Sequence, residues 1–141
     1  MRKTKKNKSK SRIKSKMTTH GMTRCLERIE EISDISQAMG RFNKAKRSGL
    51  KWYDIDRLKA KGKITVTSAE WDTKKEEEVI YIGYKLWCRL NTYFKSRNTQ
   101  TTRIYHRGYI YVVFKTSRRL ITCYPCPEDI KDLCELLTSM R

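Results

Sequence analysis

A histidine and two arginines recur at four-residue intervals in the run Thr19-His20-Gly21-Met22-Thr23-Arg24-Cys25-Leu26-Glu27-Arg28. On a helix turning about 100° per residue, His20, Arg24 and Arg28 fall on one stripe, and Met22, Cys25, Leu26, Ile29 and Ile32 gather on the other side. Far along the chain, Arg103 to Cys126 reads as three short strands, the last with a lone threonine, Thr122, between Ile121 and Cys123. Histidine suits proton transfer because its unperturbed pKa is about 6.5. Arginine suits a phosphate clamp because its planar fork meets two oxygens and stays charged. A polar helical row facing a polar residue on a sheet is thus a candidate for binding and cleaving a phosphodiester. The same stripe is also where charges merely solvate a helix, with Arg24 to Glu27 and Arg28 to Glu31 spaced for pairing.

The elements that must position these groups can be read from periodicity. The first helix has Thr18 or Thr19 as its cap. A second helix is expected over about 36–47, with Ala38, Met39, Phe42 and Ala45 apolar and Ser48-Gly49 closing it. Residues 50–77 are hard to read, apart from a short β-branched strand at 63–67. The stretch 77–95 mixes strand and helix signals, and a helix from roughly 82 to 96 is favoured. An antiparallel meander follows: 103–106 pairs with 109–114 across Arg107-Gly108, and 120–124 comes after a loop. Pro127 opens a last helix with Ile130, Leu133, Cys134, Leu137 and Met140 as its apolar stripe. Helices before and after a sheet predict an α+β fold, with the N-terminal helices packed on a small twisted antiparallel sheet and a short C-terminal helix.

The chain has 141 residues, the size of one domain with a single modest core. Of its net charge of +18, nine Lys or Arg residues stand in the first 16 positions with no acid, which leaves +9 on the rest. Residues 1–16 have too little apolar surface to offset their ordering entropy and are expected to form a disordered basic tail before a single domain at 17–141. Because the domain is basic in its own right, a polyanionic partner is implied beyond the tail. The chain has neither the apolar stretch of a secretion signal nor a run long enough for a membrane span, so a soluble, cytoplasmic protein with no membrane partner is expected. Five cysteines, an odd count, are expected to stay reduced. Cys123-Tyr-Pro-Cys126 has C-x-x-C spacing, for which packing is the leading account over zinc or redox chemistry.

His-x-x-x-Arg-x-x-x-Arg opening an amphipathic helix, then an Arg-Ile-Tyr hairpin and a Leu-Ile-Thr-Cys-Tyr-Pro-Cys-Pro strand, resembles the small ribonuclease toxins of the barnase/EndoU/colicin/RelE-like superfamily, above all members borne by phages and mobile elements. The likeness covers about residues 18–49 and 102–127. It implies a helical layer on a sheet with RNA lying across it. It also implies His20 as proton carrier, Arg24 and Arg28 as phosphate clamps, and Thr122 as a hydroxyl that orients phosphate or base. RNA carries its own nucleophile, so such an enzyme helps the 2′-OH lose its proton and steadies the phosphorane with fixed cations, leaving a 2′,3′-cyclic phosphate. No metal or other cofactor is called for. RNA, within the ribosome or free, and an antidote protein are the partners implied.

Two departures stand out: His106-Arg107-Gly108 replaces a plain glycine-rich turn, making His106 either a second proton carrier or a turn residue, and the charged insert around 63–80 has no counterpart. Tyr105, Tyr109 and Tyr111, interleaved with Arg103, Arg107, Lys115, Arg118 and Arg119, are candidates to stack bases and hold the RNA backbone. The same tyrosines are equally suited to pack against helices with only their hydroxyls wet. The alternatives to a ribonuclease are a non-catalytic RNA- or ribosome-binding protein, an inhibitor of a nucleoprotein complex, or a module that docks on an acidic protein surface.

Overall fold

A computed structural model describes residues 18–29, 34–95 and 99–141. The expected disordered tail at 1–16 and the partner proposed for Arg28, Glu31, lie outside the described residues. The elements in order are α1 (Thr19–Arg28), α2 (Ile35–Ser48), β1 (Leu50–Lys51), α3 (Trp52–Ala60), β2 (Ile64–Thr67), β3 (Thr73–Glu76), β4 (Val79–Gly83), α4 (Tyr84–Phe94), β5 (Thr101–His106), β6 (Tyr109–Phe114), β7 (Leu120–Pro125) and α5 (Glu128–Ser139). This is the α+β architecture the periodicities predict. None of the described helices is long and apolar enough to cross a membrane.

A four-stranded antiparallel sheet, in the order β1-β5-β6-β7, forms the middle layer. One face carries Ile104, Tyr111, Val113, Leu120 and Cys123, which pack against Cys25 and Ile29 of the α1 segment and Ala38, Met39, Phe42 and Ala45 of α2. The other face carries Tyr105, Ile110 and Val112 and meets the apolar stripes of α3, α4 and α5. Covering both faces is what buries so much of this modest chain, at about 1.5–3 kcal/mol for each large apolar side chain removed from water. It also buries most of the side chains of β6.

Local chemistry accounts for the boundaries. Thr18 caps α1, its hydroxyl accepting from the Gly21 amide at 2.9 Å. Asp34 caps α2 by accepting from the Gln37 amide at 2.7 Å. Gly49 ends α2 as expected. Pro127 occupies the cap of α5, one place before the first helical residue where it was expected. The mixed signal at 77–95 resolves into a strand followed at once by a helix: β4 takes the β-branched start and α4 the rest.

Two elements depart from expectation. Residues 52–60 form a helix that the charged, unpatterned sequence conceals. The insert around 63–80 builds a second sheet, β2-β4-β3, in which β2 and β4 run parallel and β3 pairs antiparallel with β4. Ile64, Ile80 and Ile82 anchor it to the core, while every residue of β3 is exposed. The strand expected at 63–67 is β2, whereas β3 takes its stability from pairing rather than from propensity, which is why single-strand reading misses it.

Candidate active site

His20, Arg24 and Arg28 lie on α1 at the expected spacing. α1 lies along β7, the edge strand, and satisfies its outward carbonyls: the Thr18 amide donates to Leu120 O at 2.9 Å, and Arg28 donates to Cys123 O at 3.2 Å. Gly21 permits the approach, because a Cβ there would stand 2.5 Å from Leu120 O. Covering an unpaired edge with a helix is a structural task. Arg24 is held by Glu27 at 3.3 Å in an exposed pair, the outcome expected of a solvated helix face. His20 is exposed beside the start of β7.

Thr122 faces the other way. A bulge leaves Ile121 unpaired and sets Thr122 opposite Val112, and cross-strand partners share a face. Val112 belongs to the core on the α3–α5 side, whereas Cys123 packs under α1. His20, Arg24, Arg28 and Thr122 therefore do not surround one substrate, which corrects the expectation that they form a single centre.

The tyrosine and arginine set is also dispersed. Tyr105 and Tyr111 are only 1% exposed and lie on opposite faces of the sheet, so neither ring is open to a base. The Tyr105 hydroxyl donates to Glu135, and burial, first, raises the pKa of both phenols. Tyr109 is half-buried against the α1–α2 core. Arg107 stands at one end of β6, while Lys115, Arg118 and Arg119 stand at the other. That is about 17–20 Å away for a strand of this length. Arg103 shares the Thr122 face, where its charge and a hydrogen bond act on Tyr124.

A different row comes together at the Arg107 end. On α2, Arg41, Lys44 and Ser48 fall on one stripe at helical spacing. That stripe meets the tip of the β5–β6 hairpin, where the His106 ring nitrogen Nδ1 lies 3.4 Å from Ser48 Oγ. The Ser48 hydroxyl donates to Lys44 O at 2.7 Å, so its hydrogen is committed. Its oxygen is then left to accept from Nδ1–H, a tautomer that leaves the lone pair on Nε2. Burial lowers the His106 pKa, and the cations of Arg107, Arg41 and Lys44 lower it further, against a smaller opposing effect of Glu135. His106 thus sits in a cationic setting that favours its neutral form, with Arg107 and Lys44 exposed.

The hairpin tip is strained. Arg107 has φ +47° and Gly108 φ +88°, the positive-φ pair of a two-residue hairpin turn. Glycine or asparagine is the ordinary choice at the first of these positions, and an arginine there costs about 1 kcal/mol. Glu77 and Arg118 share this conformation, with φ +53° and +60°, so by itself it marks a turn.

Sequence reading gave His106 a secondary role and missed Arg41, Lys44 and Ser48. Their four- and three-residue spacing was visible, but nothing in one dimension says which helix faces the hairpin tip. The two cysteines of the C-x-x-C spacing enter different cores: Cys123 touches Cys25, with the sulfurs 3.1 Å apart, and Cys126 lies on the α5 side. An extended strand cannot bring them to one metal or one disulfide.

Also unforeseen is the seam between α3 and α4. Lys95 Nζ stands 4.4 Å over the Trp52 ring, Trp52 meets Trp87 at 5.6 Å and 47°, and Lys59 Nζ stands 4.9 Å over Trp87. Set against known proteins, the chain matches no family model, no curated protein and no solved structure.

Proposed function

We propose that this protein binds RNA and cuts it as a metal-independent endoribonuclease, with His106 as the proton acceptor. The observation that carries the reading is the approach of His106 Nδ1 to Ser48 Oγ at 3.4 Å, with Arg41, Lys44 and Arg107 close enough to lower the imidazole's pKa. In this scheme Nε2 takes the proton of a ribose 2′-OH while the 2′-oxygen bonds to phosphorus. The P–O5′ bond then breaks and the departing 5′-oxygen takes a proton from solvent. The three cations meet the charge that builds on the phosphorane, a role worth most where water is partly excluded. The products are a 2′,3′-cyclic phosphate and a 5′-hydroxyl. A base whose pKa is lowered stays unprotonated, and so competent, into mildly acid solution.

The excess of positive charge supports RNA as the partner, and the basic first 16 residues would add sequence-independent attraction. The resemblance to ribonuclease toxins points the same way, with the centre moved from the first helix to the second. The test is incubation with mixed RNA in EDTA, followed by mapping of the ends. Cleavage with cyclic phosphate termini that His106→Ala abolishes and His20→Ala spares supports the proposal; intact RNA overturns the catalytic part. A toxin role predicts growth arrest on induction, relieved by His106→Ala and by an antidote protein.

A second reading, non-catalytic binding of RNA or the ribosome, is favoured by one observation. The two histidines are not an acid–base pair. Thr18 and Gly21, on either side of His20 in sequence, meet the Leu120 carbonyl, whereas the sheet register carries His106 through Tyr109 to Pro125. Five residue steps along β7 separate them by about 16 Å.

A further inference from the structure

We infer that the α3–α4 seam is a docking track for single-stranded RNA, an inference that rests on the RNA-binding reading above and adds where the strand lies. The rungs run Lys95, Trp52, Trp87, Lys59, two tilted rings in contact flanked by a cation at each end. Both tryptophans are half-buried: one side of each packs on the core, and the remainder is open to solvent. Tyr93 extends the track, with the Arg89 guanidinium 4.8 Å over its ring. Tyr93 also lies close enough to Tyr124 to act on its pKa, and Tyr124 bonds Arg103.

Charge decides the occupant. Arg89 is paired with Asp129 at 2.6 Å, but Lys59 and Lys95 have no carboxylate partner among the described residues. Their ammonium groups rest on ring faces, contacts worth about 0.5–1 kcal/mol at exposed sites, and flexible stems let them exchange a ring for a phosphate. A base can then take the vacated ring face, and every base has one. An apolar peptide would bury these ammonium groups uncompensated, and a duplex offers no unstacked base to the rings.

The orphaned donors agree with this. Trp52 Nε1 and Arg103 Nε are buried without an acceptor. β1 ends at Lys51, paired with Ile104, and Trp52 opens α3 directly after it. Such N–H groups would find acceptors in a strand that opens the track, such as base carbonyls or phosphate oxygens.

The experiment uses the full chain with Trp71→Phe, which silences the exposed tryptophan outside the seam (54% exposed). The probe is a 2′-O-methyl oligouridine of about 12 nucleotides, which has no nucleophile and so cannot be cut. The comparison is a blunt RNA duplex, both at about 0.15 M salt. Expected are quenching of the remaining tryptophan emission by the oligouridine and about tenfold weaker oligouridine binding in Trp87→Leu. The double variant Lys59→Gln with Lys95→Gln, both on the surface, should flatten the salt dependence by about 1.4 in log–log slope, two phosphates at about 0.7 each. Duplex affinity should stay within twofold. Unmoved emission, unchanged oligouridine affinity in the lysine variant, or an equal loss for duplex overturns the track while the RNA reading stands. If neither nucleic acid binds, the RNA reading itself falls.

Discussion

The first and second helices each present a row of polar side chains at helical spacing, yet the fold spends them differently. On α1, Arg28 is consumed by a strand carbonyl and Arg24 by a neighbouring glutamate. On α2, Arg41, Lys44 and Ser48 meet a histidine at a hairpin tip. The difference lies in what each helix covers. α1 shields an edge, where carbonyls want donors, and α2 covers a sheet face and ends beside a turn whose side chains project past the strands. Spacing on a helix selects a stripe; the neighbouring element decides whether that stripe is mortar or a site.

The comparison is broken most sharply by exchanging the two histidines' fates. His106→Ala should lower kcat/KM for RNA cleavage at least about 100-fold, with RNA affinity kept within a few-fold, and His20→Ala should leave both within twofold. The reverse result would return the centre to α1. On the structural side, Gly21→Ala should cost about 1–3 kcal/mol in urea unfolding, since its methyl meets the Leu120 carbonyl at 2.5 Å. Arg28→Ala should cost about 1 kcal/mol and leave cleavage per folded molecule intact.

Arg107→Asn sharpens the contrast from the other direction. Asparagine relieves the positive-φ position, so stability should rise by about 0.5–1 kcal/mol while cleavage falls, read by thermal melts and by initial rates. A stabilised variant with full activity would reduce Arg107 to a turn residue.

The smallest effect is in pH. The folded His106 pKa is lowered from its ordinary value of 6.5, first by burial and then by Arg107, Arg41 and Lys44. The unfolded chain therefore binds a proton that the folded chain resists. This penalty is absent well above 6.5, grows as pH falls through 6.5, and is complete below the folded value. His106→Ala should remove that part of the acid destabilisation. In the active protein, the acid limb of kcat/KM should fall below pH 6.5; a midpoint above it would contradict the cationic setting. At the edge, by contrast, Arg28→Ala should leave the profile unchanged.

Much of the fold was legible. The apolar periods of α1, α2 and α5, the Arg107-Gly108 turn and the β-branched strands each announce an element, because each is locally self-consistent. α3 was hidden by its charges, and β3 carries no buried residue to betray it. The site was half legible. His106 and Arg107 were noticed at a turn, whereas Arg41, Lys44 and Ser48 looked like any solvated helix face. The tyrosines misled, since an alternating strand reads the same whether one face or both are covered, and here both are.

Composition and periodicity by themselves determined the basic character, the α+β class and the boundaries of most elements, since these follow from charge, apolar spacing and turn chemistry within a few residues of chain. Only the tertiary structure decided which helix guards the sheet edge and which meets the hairpin tip, and on which side of β7 Thr122 falls. Those outcomes depend on strand order, on a single bulge and on the covering of both sheet faces, and all three are set by contacts between residues distant in sequence.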